Sequence, residues 1–184
     1  MQFTDLTPQS APPAARRTME AVIKKNGYLP SAVARMAASP HMLDGFLRLS
    51  ALFETTGLSP LAREVLIMTM ATGNACHVCV ALHSAKLSAL GADPALIAAL
   101  REGAPLHDTA LEALRQFVLE VRATSGAVSP EAMDDFLGHG YTTQNALEVV
   151  LGIGAYTLST LANRMTDAPL DEPLQPFAWN EHAA

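Results

Sequence analysis

The chain holds two cysteines, Cys76 and Cys79, with His83 four residues beyond the second and Glu64 twelve residues before the first. On a helix, at about 100° per residue, Cys76, Cys79 and His83 fall within about a 60° arc, on the same face as Val80, Leu87 and Leu90. Gly73-Asn74 reads as the end of one helix and Cys76 as the start of the next. Free N–H groups and the positive end of the helix dipole favour thiolate there. Thiols in such settings ionise at about 3.5–7.5, against about 8.5 for an ordinary cysteine. An imidazole one turn beyond Cys79 can take the thiol proton, the general way to activate a sulfur nucleophile. Glu64 stands in a stretch that is apolar from Val65 to Met70 apart from Thr69. A buried, unpaired charge costs several kcal/mol, so Glu64 must be paired or hold a raised pKa. His83 or a thiol of the following helix is the natural partner, which would make Glu64 and His83 a proton relay for the sulfur.

The residues alone leave other readings open. Cys76, Cys79 and His83 make a C-x2-C-x3-H set that suits zinc. Structural zinc takes four ligands, however, and His77 points about 100° away from the shared face. A Cys pair at this spacing can also be incidental. His41, in a helix's first turn, and His107, His139 and His182, beside Pro, Gly or acidic residues, read as solvated. The eight methionines read as core filler.

The elements that must position these groups announce themselves by their ends. Ser39-Pro40, Ser59-Pro60, Asp93-Pro94 and Ser129-Pro130 each put a side-chain acceptor at an N-cap and a proline at the first helical position. Gly57, Gly91, Gly103, Gly126 and Gly138 are candidate stops. Between these marks the pattern predicts helices over 12–25, 31–37, 40–56, 60–74, 76–90, 94–102, 108–125, 130–137 and 143–166. No stretch alternates with β-branched enrichment, so no sheet is expected. Residues 60–74 and 146–162 look apolar on all sides, which suits a bundle centre or a subunit interface. Val149–Leu161 is the candidate interface or pocket wall. The whole of 1–184 reads as a single helical domain, with the redox motif in 60–91 and an extended tail over 167–184.

Composition narrows the function. Apolar residues make up 49% of the chain and aromatic ones 5%, with a formal charge of −6. Without a basic face, nucleic-acid binding is disfavoured. The first ten residues lack the basic flank and apolar run of a secretory signal. Val149–Asn163 is too short and too interrupted by glycine for a membrane span. The expectation is a soluble, cytoplasmic protein, in which a close Cys pair means redox or metal chemistry rather than a structural disulfide framework.

Glu64-x11-Cys76-x2-Cys79-x3-His83, followed by Ala85 and Gly91, resembles the alkyl hydroperoxidase D-like branch of the carboxymuconolactone decarboxylase family. Gly27-Tyr28-Leu29-Pro30 and Gly57-Leu58-Ser59-Pro60 add to the likeness, which is good from about Asn26 to Asp93 and looser on to Asn163-Arg164. The resemblance implies an all-α bundle of about seven to nine helices and a homo-oligomer, commonly a trimer or hexamer. It also implies reduction of organic hydroperoxides, in which Cys79 attacks and becomes a sulfenic acid. Cys76 then resolves it as a Cys76–Cys79 disulfide. No tightly bound cofactor is implied; a thiol protein or a lipoylated carrier would return the electrons. One position departs: the family often has His or Tyr immediately before the second cysteine, where this chain has Val78. Other expectations compatible with these residues are a disulfide reductase or another non-peroxidase enzyme of the family, and a redox-sensing binding module.

Overall fold

The computed structural model describes residues 3–180, so the reading of His182 as solvated lies outside the described residues. Those residues form nine α-helices and one short 3-10 turn, with no strand among them. The helices are α1 (Pro13–Asn26), α2 (Ser31–Met36), α3 (Pro40–Phe53), α4 (Pro60–Gly73), α5 (His77–Ala89), α6 (Pro94–Glu102), α7 (Thr109–Ala123), α8 (Pro130–Gly138) and α9 (Thr143–Met165). All four Ser-Pro or Asp-Pro starts are true N-caps: the side chains of Ser39, Ser59, Asp93 and Ser129 accept backbone N–H bonds from Met42, Ala62, Ala95 and Ala132.

Most helix ends fall within a residue or two of expectation, and two departures are larger. The third helix stops at Phe53, not 56, because the hydroxyls of Thr55 and Thr56 donate to the carbonyls of Leu52 and Phe53 and satisfy them without a further helical turn. Residues 172–177, within the segment read as an extended tail, wind into the 3-10 turn and bury Leu174. Trp179 then donates its indole N–H to the Arg101 carbonyl at 3.0 Å, fastening the tail to α6.

α4 is the central post, packed by α5, α7, α9 and α6. Its run from Glu64 to Ala71 is wholly buried, as the pattern implied. α9 is different. One face is buried through Val149, Gly152, Ala155, Tyr156, Ser159, Thr160 and Asn163, while Leu147, Val150, Leu158, Leu161 and Met165 face outward. Gly152 lets α9 approach: a Cβ there would lie 2.6 Å from the Phe53 ring and 2.8 Å from a Leu66 methyl. The apolar interior falls into two clusters. The larger is built around α4, and a smaller one joins the N-terminal segment, α1, α2 and α3 through Met19, Met36 and Leu43.

Candidate functional site

The turn from α4 into α5 sets the position of the thiols. Ala75 adopts φ +50°, an uncommon conformation for a residue with a side chain. The Cys76 N–H reaches the Ala71 carbonyl at 2.9 Å. Asn74 is held from three sides: Arg122 donates to its Oδ1 at 2.7 Å, its Nδ2 donates to Thr160 Oγ1 at 2.8 Å, and Arg164 donates to its carbonyl at 2.5 Å. This clamp leaves Cys76 as the N-cap of α5 and Cys79 one turn along.

The two sulfurs lie 2.7 Å apart, both cysteines are free, and both are buried. At this separation the Cys76 Sγ–H donates to the Cys79 sulfur. The hydrogen bond with Cys79 lowers the Cys76 thiol and outweighs burial, helped by the Cys79 backbone N–H, Asn163 and the charge of Arg164. The same sulfur–sulfur bond, with burial and the neighbouring charge, raises Cys79. Of the two thiols, Cys76 at the helix N-terminus therefore gives up its proton the more readily, and Cys79 holds its own the more tightly.

Glu64 and His83 form the second half of the site. His83 Nδ1 donates to Glu64 Oε2 at 2.6 Å, and both side chains are almost wholly enclosed. Burial alone would raise the Glu64 carboxyl. The charge and hydrogen bond of His83 outweigh it, aided by Lys86, whose Nζ is 3.7 Å from Oε1, and the net effect holds the carboxyl below its ordinary 4.5. With Nδ1 engaged, Nε2 is the ring nitrogen free to exchange a proton.

Both halves meet at one cavity of about 440 Å³. It opens between the α1–α3 layer and the α5–α9 side, and its wall includes Phe46, Ser50, Val78, Cys79, Leu82, His83, Tyr156, Ser159 and Asn163. Lys25, Tyr28, Lys86 and Asp171 also contribute to it. Cys79 is part of this wall and Cys76 is not, so a small molecule in the cavity meets Cys79 first. The edge of the His83 ring meets Tyr156, with centroids 5.6 Å apart. Burial foremost pushes the Tyr156 phenol up to about 12, so it remains protonated.

All four residues singled out in the sequence thus come together. One detail of the helical-face reading changes: Leu90, placed on the same face as the thiols, is half exposed because α5 ends at Ala89. Val78, the position that departs from the family pattern, is buried in the cavity wall. His41, His107 and His139 are exposed. The sequence reading missed Tyr156, Ser159 and Asn163. A signal for them existed: spaced at i, i+3 and i+7 on an otherwise apolar helix, they form one buried polar line. Val149–Leu161, the nominated pocket wall, includes the first two. Among the described residues no group of three or more His, Cys, Asp or Glu gathers in metal-binding geometry. By length and composition α9 is the one described helix apolar enough to cross a bilayer.

The site is thus a buried Cys-x2-Cys pair at a helix start with a Glu–His pair beside it, set in an all-α bundle. Residues 40–119 match the Carboxymuconolactone decarboxylase family, and the fold of the chain is alkylhydroperoxidase D-like. No curated protein sequence matches significantly. Among solved structures, the alkylhydroperoxidase AhpD core of an uncharacterized peroxidase-related protein from Ralstonia eutropha JMP134 superposes with a TM-score of 0.81. It is 20% identical, over 94% of this chain and 93% of that one. An uncharacterized peroxidase-related protein from Silicibacter sp. TM1040 gives 0.77 at 20% identity, over 94% and 93%. The debrominase Bmp8 in complex with 2,3,4-tribromopyrrole gives 0.72 at 15% identity, over 96% and 95%. At these identities the likeness is one of fold.

Proposed function

We propose that this chain is a thiol-dependent peroxidase that reduces organic hydroperoxides, with Cys79 attacking and Cys76 resolving. The observation that carries this reading is the placement of the Cys79 sulfur in the wall of a largely apolar cavity, 2.7 Å from a second sulfur and beside the Glu64–His83 pair. The Cys76 thiolate takes the Cys79 proton across the sulfur–sulfur contact. The Cys79 thiolate then attacks the distal peroxide oxygen, forming an S–O bond as the O–O bond breaks. The alkoxide that leaves takes a proton from the His83–Glu64 pair, which solvent replenishes, and departs as alcohol. The Cys76 sulfur next attacks the Cys79 sulfenic acid; its proton and the hydroxyl leave as water, and a disulfide remains. Both sulfurs are almost wholly enclosed, so a slender dithiol such as a dihydrolipoyl arm, or a small thiol, suits the return of electrons better than a broad protein surface. No tightly bound cofactor enters these steps.

A homo-oligomer, trimeric or hexameric, belongs to the same proposal. The outward line of Leu147, Val150, Leu158, Leu161 and Met165 on α9 is a contiguous apolar face of the kind that marks an interface. A cytoplasmic location fits the dithiol chemistry, which requires a reducing compartment.

The test is to reduce the protein, add one equivalent of cumene hydroperoxide and follow intact mass with time. The expected product is two hydrogens lighter. Cys76→Ser should stop one oxygen heavier, and Cys79→Ser should not react; full turnover by Cys79→Ser would overturn the assignment. A second reading uses the same dithiol to reduce another apolar oxidant. It is favoured by the aromatic side of the cavity, Phe46 and Tyr156, and by the tribromopyrrole held by the structural neighbour. Rapid disulfide formation with a brominated pyrrole, beside slow reaction with hydroperoxide, would select it.

A further inference from the structure

Two buried side-chain polar atoms among the described residues lack a hydrogen-bond partner, Arg63 Nε and Asn163 Oδ1. The first is compensated: Arg63 Nε lies 3.4 Å from a Glu54 carboxylate oxygen, and its Nη1 donates to the Leu58 carbonyl at 2.6 Å. The second is not. Asn163 is 5% exposed and stands in the cavity wall. An orphaned buried acceptor is destabilising, so its presence calls for an explanation in function. Its other end is engaged: Nδ2 donates to Cys79 Sγ at 3.3 Å. The residue is fixed near the end of α9, where its carbonyl accepts from the Ala168 N–H at 3.0 Å. Its carboxamide therefore has its donor on the sulfur and its acceptor unspent, beside the same cavity.

We infer that Asn163 is a catalytic residue that binds the peroxide itself: Oδ1 accepts the O–H of the distal peroxide oxygen while Nδ2 donates to the Cys79 sulfur. The inference rests on the hydroperoxide reading above and deepens it. In a hydroperoxide the oxygen that carries the hydrogen is also the electrophilic one. An acceptor at that hydrogen, on the group that also touches the nucleophile, brings the distal oxygen to the sulfur and turns the O–R side toward the apolar wall. When sulfur attacks, the S–O bond forms, the O–O bond breaks, and the hydroxyl passes to Cys79 with its hydrogen still on Oδ1. The alkoxide leaves on the other side and takes its proton from His83–Glu64. The substrate class is thus an apolar hydroperoxide with a free terminal O–H. A dialkyl peroxide, which has none, is excluded.

The test compares wild type with Asn163→Leu, similar in size and without either polar end, using two oxidants. One is tert-butyl hydroperoxide, which donates an O–H. The other is methyl methanethiosulfonate, which attacks thiolate and has no donor. Loss of the Nδ2 bond should move both rate–pH profiles to higher pH. At the high-pH plateau, where the thiolate is fully formed, the thiosulfonate rate should be unchanged and the peroxide rate should fall by about tenfold or more, the worth of one hydrogen bond. Plateau rates that fall together, or a peroxide plateau that does not fall, would overturn the inference while leaving the peroxidase reading in place. Wild type that reacts with the thiosulfonate but not with hydroperoxide would overturn the reading on which it rests. If Asn163→Leu does not fold, as circular dichroism would reveal, Asn163→Ser removes the same two contacts with less apolar bulk and is held to the same outcomes.

Discussion

Replacing Glu64 by Gln isolates the role of its charge. The two side chains have almost the same shape, and the amide oxygen can still accept from His83 Nδ1, so packing is preserved while the carboxylate is lost. Two interactions change. The His83 bond, 2.6 Å long between enclosed partners, is a hydrogen bond to a charged group and is worth about 1.5–3 kcal/mol. The Lys86 contact at 3.7 Å involves a side chain that is 45% exposed, and such pairs contribute about 0–1 kcal/mol. The His83 bond therefore dominates, and because a neutral hydrogen bond survives, Glu64→Gln should be destabilised by about 1–1.5 kcal/mol at neutral pH, the difference between a charged and a neutral bond. For a chain of this length that lowers the melting temperature by about 2–6 °C. The pH dependence carries the diagnosis. The folded Glu64 carboxyl is held below its ordinary 4.5, so its contribution is complete above that value and is lost as pH falls through the folded pKa. Urea unfolding of both proteins from pH 7 to pH 3 should show a gap that is full at the upper end and closes at the lower. A gap of the same size at both ends, or none at pH 7, would refute the charged-pair reasoning. A cycle with His83→Gln should return a coupling above the measurement error.

Two further predictions concern packing and assembly. Gly152→Ala gains about 1 kcal/mol of helix propensity but drives a methyl into the Phe53 ring and Leu66, at about 1–3 kcal/mol for an overpacked core. Urea unfolding should show a net loss of stability, and Phe53→Leu should recover part of it; unchanged stability of Gly152→Ala would show that α9 has room to move. Leu161→Glu puts a charge in the middle of the outward apolar line of α9, and light scattering after size exclusion should show a lower mass. A wild-type protein that is already monomeric at micromolar concentration would remove the proposed interface.

Much of the fold was legible because helix ends are local. Each Ser-Pro or Asp-Pro start needs only the side chain three or fewer residues away from the N–H it caps, and all four fell where the sequence placed them. The thiol pair was legible for the same reason: a helix brings residues three and four apart together without help from the rest of the chain. Glu64 was legible through its cost, since a lone acid in the apolar run from Val65 to Met70 demands a partner. The 3-10 turn over 172–177 was not. Its stability comes from Leu174 and Trp179 docking on distant helices, and prolines in that segment read equally well as extended chain.

What the sequence by itself determined is thus the set of helices, the sulfur pair and the need to neutralise Glu64, all of which follow from short-range geometry and the penalty on buried charge. Tertiary structure alone decided that His83, and not a thiol, answers Glu64. It also decided which sulfur faces the cavity, because α1–α3 close over one side of α5 and leave Cys76 behind it. Asn163 was settled in the same way. It lies 84 residues from Cys79 in the chain, and the contact exists because Gly152 lets α9 lie close against Phe53 and Leu66, a close approach set by facing side chains from three helices that no local pattern encodes.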